Sequence, residues 1–256
     1  MTPSSRRSET ERSELRTLAV ALLASLVMWN LPYGGIALYP FKLLATWLHE
    51  LSHALVMLVT DAGLVYVRIY RDTSGESLQV WAISDIGTAA IAAAGYMGTA
   101  LWGAVLLVAT PTPRAARIAL LVLASLMAIT AMTVIEPTPG GDKFGVYATL
   151  GIAGVLAVCA IAVPGRWRVL GAHFIAAQAC INALLDIRVL LRPMQVIDGV
   201  ASGHSDAYAM AVATFGYAPP WAIWFWAIVW LAWSVAVLFV ALRLASARRT
   251  PTPGSA

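Results

Sequence analysis

The chain has 256 residues, 60% of them apolar and 12% charged, and carries a formal net charge of +4. A soluble globular domain holds about twice that charged fraction, and the arginines here sit in tails and short connections, as in membrane proteins. Composition therefore excludes an ordinary soluble enzyme, and the charge does not point to nucleic acid.

The charges are bunched, which leaves uncharged stretches at 17–41, 86–113, 118–135, 144–165 and 207–242. A membrane helix needs about 20 apolar residues to cross about 30 Å of hydrocarbon. The fold class expected is an all-α polytopic membrane protein, with about seven transmembrane helices and a short β-hairpin after the metal-binding helix. The N-terminal "MTPSSRRSETERSELR", 1–16, reads as a disordered polar tail. A single transmembrane domain follows over 17–243, and a disordered basic tail covers 244–256. The first apolar run is too long for a signal-peptide core and shows no cleavage site, so it reads as a retained helix.

In chain order, the first spanning segment is expected over about 17–38, ending near "LPYGG". The second, about 40–60, contains "TWLHELSHALVML" and stops at "TDAG", where Gly63 terminates it. Then Val65, Val67 and Ile69 alternate with Tyr66, Arg68 and Tyr70, and the turn "DTSGE" follows, which predicts a β-hairpin. Further helices are expected at about 86–110, 116–135, 145–163, 169–191 and 219–243. Asp85, which follows Ser84, reads as a helix cap, and Asp61 as part of a helix-ending turn. Cys159 and Cys180 fall inside predicted helices and imply neither a disulfide framework nor a zinc knuckle. Arginines in "PTPRAAR", "GRWR" and "RLASARR" share one side, which makes that side cytoplasmic.

The chemistry is concentrated in the second segment. Positions four apart face the same way on a helix, so His49 and His53 can place their imidazoles on one ion, with Glu50 beside it. This is the H-E-x-x-H pattern, in which two histidines bind Zn²⁺ and the glutamate handles the water proton. Ionisable residues inside a membrane are costly and usually mark function. Such a zinc needs a third protein ligand and one open position. Gln178, Asn182 and Asp186 recur at spacing four as the polar stripe of their helix, and Asp186 is the expected third ligand. Asn182, one turn earlier, is a candidate catalytic donor to a developing oxyanion. His204 or Asp206, in "GHSDAYAM", is the rival for the metal. The alternative there is that Ser205 or Asp206 caps a short helix running to about Phe215. His173 falls on the opposite face from Asn182 and reads as a packing histidine. Gly95, Thr99 and Gly103 recur every fourth residue, which lets another helix approach closely. The hairpin offers a strand edge to an unwound peptide.

"HELSHA" on an apolar helix, a hairpin next, "AGYMGTALWG" on the following helix, "NALLD" on a later one and "SDA" before a Trp-rich last helix resemble the site-2 protease family. They are more similar to its compact bacterial branch of site-2-protease-like intramembrane zinc metallopeptidases. The resemblance covers roughly 40–240. It implies proteolysis within the membrane, with His49 and His53 as zinc ligands, Glu50 as the catalytic acid/base and Asp186 matching the late aspartate ligand. The main family carries an Asn-Pro-rich segment ending in Asp-Gly, whereas Asn182 and Asp186 here are expected on an unbroken helix without proline or glycine. The implied partners are the lipid bilayer and a transmembrane protein or peptide substrate, with no nucleic acid and no indication of oligomeric state. Arginine used nearly to the exclusion of lysine, with abundant alanine, suggests a bacterial cell membrane. Two other readings stand beside the peptidase: a non-proteolytic scaffold or regulator that keeps its metal site, and a proton-coupled transporter relaying through Glu50 and Asp186.

Overall fold

The computed structural model describes residues 23, 25, 27, 28, 31, 33–190, 196–197, 200–201 and 205–247. The elements run α1 (Gly34–Val59), β1 (Leu64–Ile69), β2 (Gly75–Gln79), α2 (Asp85–Ala109), α3 (Pro113–Thr133), α4 (Phe144–Ala162) and α5 (Gly165–Leu185). A single turn α6 (Ile187–Leu190), strands β3 (Val196–Ile197) and β4 (Val200–Ala201), α7 (Asp206–Phe215) and α8 (Pro220–Ala247) complete the chain.

Helix α2 is the hub, packing against α1, α5, α7 and α8, while α3 and α4 pair on one flank and reach α1 and α5. Its small side chains make this possible. Ala100 is 1% exposed, and Ala176, Ala207 and Ala222 on neighbouring helices are fully buried. Between apolar helices in lipid, association comes from close van der Waals packing, which small residues allow. The large apolar residues point outward instead: Trp224, Phe225 and Phe239 on α8, Val122 and Ile129 on α3, and Val158 on α4 are all exposed. Large residues outside and alanine inside invert the soluble pattern and suit a lipid surround. Five helices among the described residues, α2 to α5 and α8, are long and apolar enough to cross a membrane.

Several expected boundaries move. The first spanning segment lies mainly outside the described residues, but its last part, from Gly34, belongs to α1. Pro40 sits inside α1 without ending it; the proline ring fixes a φ that a helix accepts, and what is lost is an N–H bond to a residue near the helix start. Helix α1 has 26 residues, enough to span, although His49, Glu50, Ser52 and His53 interrupt its apolar run. The sixth expected segment starts earlier, at Gly165, and is broken at Asp186, whose N–H caps the helix on the Asn182 carbonyl at 2.8 Å. The last helix runs to Ala247, past the expected boundary at 243.

The hairpin forms where the alternation predicts it. Strands β1 and β2 pair antiparallel, with Val67 opposite Ser77 and Arg68 opposite Glu76. Val67 and Ile69 face the core at 3% and 2% exposure, but a bulge between Leu64 and Tyr66 turns Val65 outward. On the other face the Arg68 guanidinium lies 3.7 Å from the Tyr66 ring centroid and bonds Glu76, to which the Tyr70 hydroxyl also donates at 2.7 Å. Asp61 and Gly63 adopt positive φ, 58° and 65°, and turn the chain from α1 into β1 as expected.

Candidate metal centre

His49 and His53 stand one turn apart on α1 and face the same point. The His53 ring is fixed by Nδ1–H donating to the Ile91 carbonyl of α2 at 2.7 Å, which leaves its Nε2 lone pair for a metal. The His49 ring packs edge-on to Tyr96, with centroids 4.8 Å apart, and Tyr96 stacks on Trp230 of α8. Gly95 makes the arrangement possible. A Cβ on that residue would run into His49 Cε1 and Nε2 and into His53 Nε2. The small-residue repeat expected to serve helix packing thus also gives the two imidazoles their space. Gly103, further along α2, lies against Ala176 and Cys180 of α5.

The third group brought to the two imidazoles is Asp206. The Ser205 hydroxyl caps α7 by accepting from the Tyr208 N–H, so Asp206 occupies the first helical position with its carboxylate free to reach α1. Asp206 Oδ2 lies 3.1 Å from His49 Nε2 and 3.3 Å from His53 Nε2, and the two nitrogens are 3.0 Å apart. The capping and metal-binding readings of this segment are therefore compatible: Ser205 caps and Asp206 converges on the histidines. His204 lies outside the described residues. At the start of α2 the cap is Ser84, whose hydroxyl accepts from the Gly87 N–H, and not Asp85 as expected; Asp85 lies in the first turn.

These three atoms form a near-equilateral triangle. A tetrahedral ion with nitrogen and oxygen ligands at about 2.0–2.1 Å has ligand-to-ligand edges of about 3.3 Å. Two imidazole nitrogens and a carboxylate oxygen aimed at one point also repel unless a proton or cation lies between them. The donor set fits a first-row divalent cation, and among the described residues it is the group of His, Cys, Asp and Glu close enough together to hold one.

Glu50 lies beside this triangle and is 5% exposed. Its Oε2 accepts from Ser77 Oγ of β2 at 2.6 Å, and a Cβ on Gly75 of the same strand would run into its Oε1. Access is one-sided: the His49 and Asp206 side chains are 21% and 26% exposed, whereas His53 is at 7%.

Asp186, expected as third ligand, stands at the helix break within electrostatic reach of His49 and Lys42 but outside the close triangle. Asn182 is buried and spends one amide hydrogen on the Gln178 carbonyl of its own helix at 2.8 Å. Gln178 donates to Ser25 at 2.6 Å, so most of the polar stripe on α5 serves packing. His173 is buried on α5, as a packing histidine would be. Ser77 escaped the sequence reading, although strand periodicity in "GESLQ" puts Gly75 and Ser77 on one face.

Two histidines, a carboxylate and a neighbouring glutamate inside a bundle of membrane-crossing helices are the groups a membrane-embedded metallopeptidase needs. The chain belongs to the Peptidase M50B-like family, whose model matches residues 18–241. No curated protein and no solved structure matches it. The chain is thus an integral membrane protein of a metallopeptidase family.

Proposed function

We propose that this protein is an intramembrane zinc metalloendopeptidase of a bacterial cell membrane. Its substrates are peptide bonds within or near the transmembrane segments of other membrane proteins. The observation that carries the reading is the convergence of His49, His53 and Asp206 within one ion's ligand sphere, with Glu50 alongside. In this reading His49, His53 and Asp206 hold the metal, and Asp186 is a charged neighbour. Imidazole with one carboxylate is a donor set that suits zinc.

When bound, the zinc supplies Lewis-acid activation of water and of the scissile carbonyl. Glu50 takes the proton from the attacking water and returns it to the leaving nitrogen. The Ile91 carbonyl keeps the His53 ring in the ligating tautomer. Asn182 is in this reading the candidate donor to a developing oxyanion. A helical peptide bond is shielded by its own turn, so the substrate binds locally unwound. The outer edge of β2, next to Glu50, offers it a strand to pair with.

The test is zinc content and cleavage by the detergent-purified protein. Wild type should hold about one zinc per chain. His53→Ala and Asp206→Ala should lose it, Asp186→Ala should keep it, and Glu50→Gln should keep zinc while losing cleavage. If Asp186→Ala loses the metal and Asp206→Ala retains it, the third ligand is Asp186. A wild type that binds no zinc when it is supplied refutes the reading.

A further inference from the structure

We propose that Ser77 is a positioning residue that couples the docking of an extended peptide to the placement of Glu50: its side chain holds the base and its backbone forms the docking edge. This rests on Glu50 being the base of a peptidase.

The side-chain half is direct. Ser77 Oγ lies 2.6 Å from Glu50 Oε2 and 3.3 Å from the Glu50 carbonyl oxygen, so its single hydrogen goes to the carboxylate. A glutamate has three rotatable side-chain bonds and is costly to immobilise. Here the strand does so from two sides. A Cβ on Gly75 would stand 2.7 Å from Glu50 Oε1 and 2.8 Å from its Cγ, so glycine is what lets β2 lie this close to the carboxylate.

The backbone half follows from the register. Hydrogen-bonded and non-hydrogen-bonded pairs alternate along an antiparallel ladder. Tyr70 N–H donates to the Ser74 carbonyl at 2.9 Å, which makes Tyr70 and Ser74 a bonded pair and Arg68 with Glu76 the next. Val67 with Ser77 is then a pair of the other kind. Val67 bears this out, since its N–H and carbonyl are spent on Val134 and Glu136 at the far side of β1. Ser77 therefore aims its own N–H and carbonyl off the outer edge of β2, where no strand lies among the described residues.

A peptide paired there would run about 4.8 Å from β2 and bond the main chain of the residue whose hydroxyl holds Glu50. Docking and base placement then share one residue. A misplacement of about 1 Å at a reacting group costs on the order of 100-fold in rate, so the hydroxyl matters for turnover more than for binding.

The test compares Ser77→Ala, Ser77→Thr and Ser77→Val in purified full-length protein, with β-casein as an unstructured probe and Glu50→Gln as control. All three serine variants keep the main-chain edge and lie outside the metal triangle, so zinc content should equal that of wild type. In Ser77→Ala and Ser77→Val, kcat should fall about 10- to 100-fold with KM nearly unchanged. Ser77→Thr, which restores the hydroxyl on a strand-compatible side chain, should recover kcat where the near-isosteric valine does not. Wild-type kcat in Ser77→Ala with Glu50→Gln inactive overturns the coupling and leaves the peptidase reading standing. Cleavage retained by Glu50→Gln overturns that reading, and the inference with it.

Discussion

Gly95 carries the sharpest consequence at the scale of single residues. Replacing a mid-helix glycine by alanine normally stabilises a helix by about 0.5–1 kcal/mol. At this position the added carbon falls on Nε2 of both His49 and His53, and the rings, held from α2 by the Ile91 carbonyl and Tyr96, would have to shift. Gly95→Ala should therefore abolish stoichiometric zinc binding and lower the thermal transition, since overpacking costs about 1–3 kcal/mol against the smaller helix gain, read by metal analysis beside a melting curve that stays cooperative. Full zinc content in this variant would show that the rings have space the structure denies them. "HELSH" was legible because helix geometry fixes where residues four apart point. Asp206 was legible only as a rival to Asp186. Asp186 shares a regular stripe with Gln178 and Asn182, and a stripe is visible in sequence. What brings Asp206 to the histidines is that α7 packs against α2 and α8 and so delivers its first-turn carboxylate to α1, a long-range arrangement without a local signature. The same limit hid Ser77, whose partner lies 27 positions away.

At the scale of elements, the hairpin has to stay pressed on α1 for Glu50 to be held, and its tip is clasped. Arg71 forms two hydrogen bonds to Asp142 in the α3–α4 connection, at 2.8 and 3.2 Å, and lies over the Phe144 ring, while its carbonyl accepts from the Tyr39 hydroxyl. The hydrogen bonds from Arg71 lower the Asp142 carboxyl below its ordinary value of 3.8. A folded-state pKa that is depressed gives stability present above the unfolded value and lost as pH falls through the folded one. The clasp is thus fully made at neutral pH and opens only in acid below 3.8. Asp142→Asn should speed amide exchange of the hairpin tip at neutral pH and leave the α2–α3 connection unchanged; equal exchange in both proteins would mean the tip is held by packing alone. The hairpin itself was legible from period-two alternation and a Gly-containing turn. The bulge before Tyr66 was not, because one extra residue leaves the pattern on either side intact. The break at Asp186 was hidden too, since no proline or glycine marks it and the cap is supplied by the helix's own Asn182 carbonyl.

At the scale of the whole molecule, the bundle has two unlike ends. Arg114 and Arg117 at the start of α3 meet Arg166 and Arg168 at the start of α5, where Arg168 bonds the Pro113 and Val163 carbonyls. The end of α8, with Arg243, packs against the same end of α2 through Ala241 and Leu107. The other end carries the hairpin, where Arg68 and Arg71 face Glu76, Glu136 and Asp142. Lysine and arginine in short loops mark the cytoplasmic side, so the arginine end should face inward and the hairpin outward. Gly95 lies about 15 Å along α2 from its hairpin-side start at 1.5 Å per residue, which puts the metal triangle about halfway through a hydrocarbon core of about 30 Å. Pro111 and Pro139 are exposed at opposite ends of α3. With Cys159→Ser as background and Cys180 buried, a membrane-impermeant thiol reagent added to intact cells should label Pro139→Cys. It should reach Pro111→Cys only after the cells are opened. That outcome would put the strand edge beside Glu50 on the outer face, so a substrate segment would unwind from its outer end toward the metal. The reverse labelling would place the hairpin in the cytoplasm and require unwinding from the inner end, with the site at the same depth.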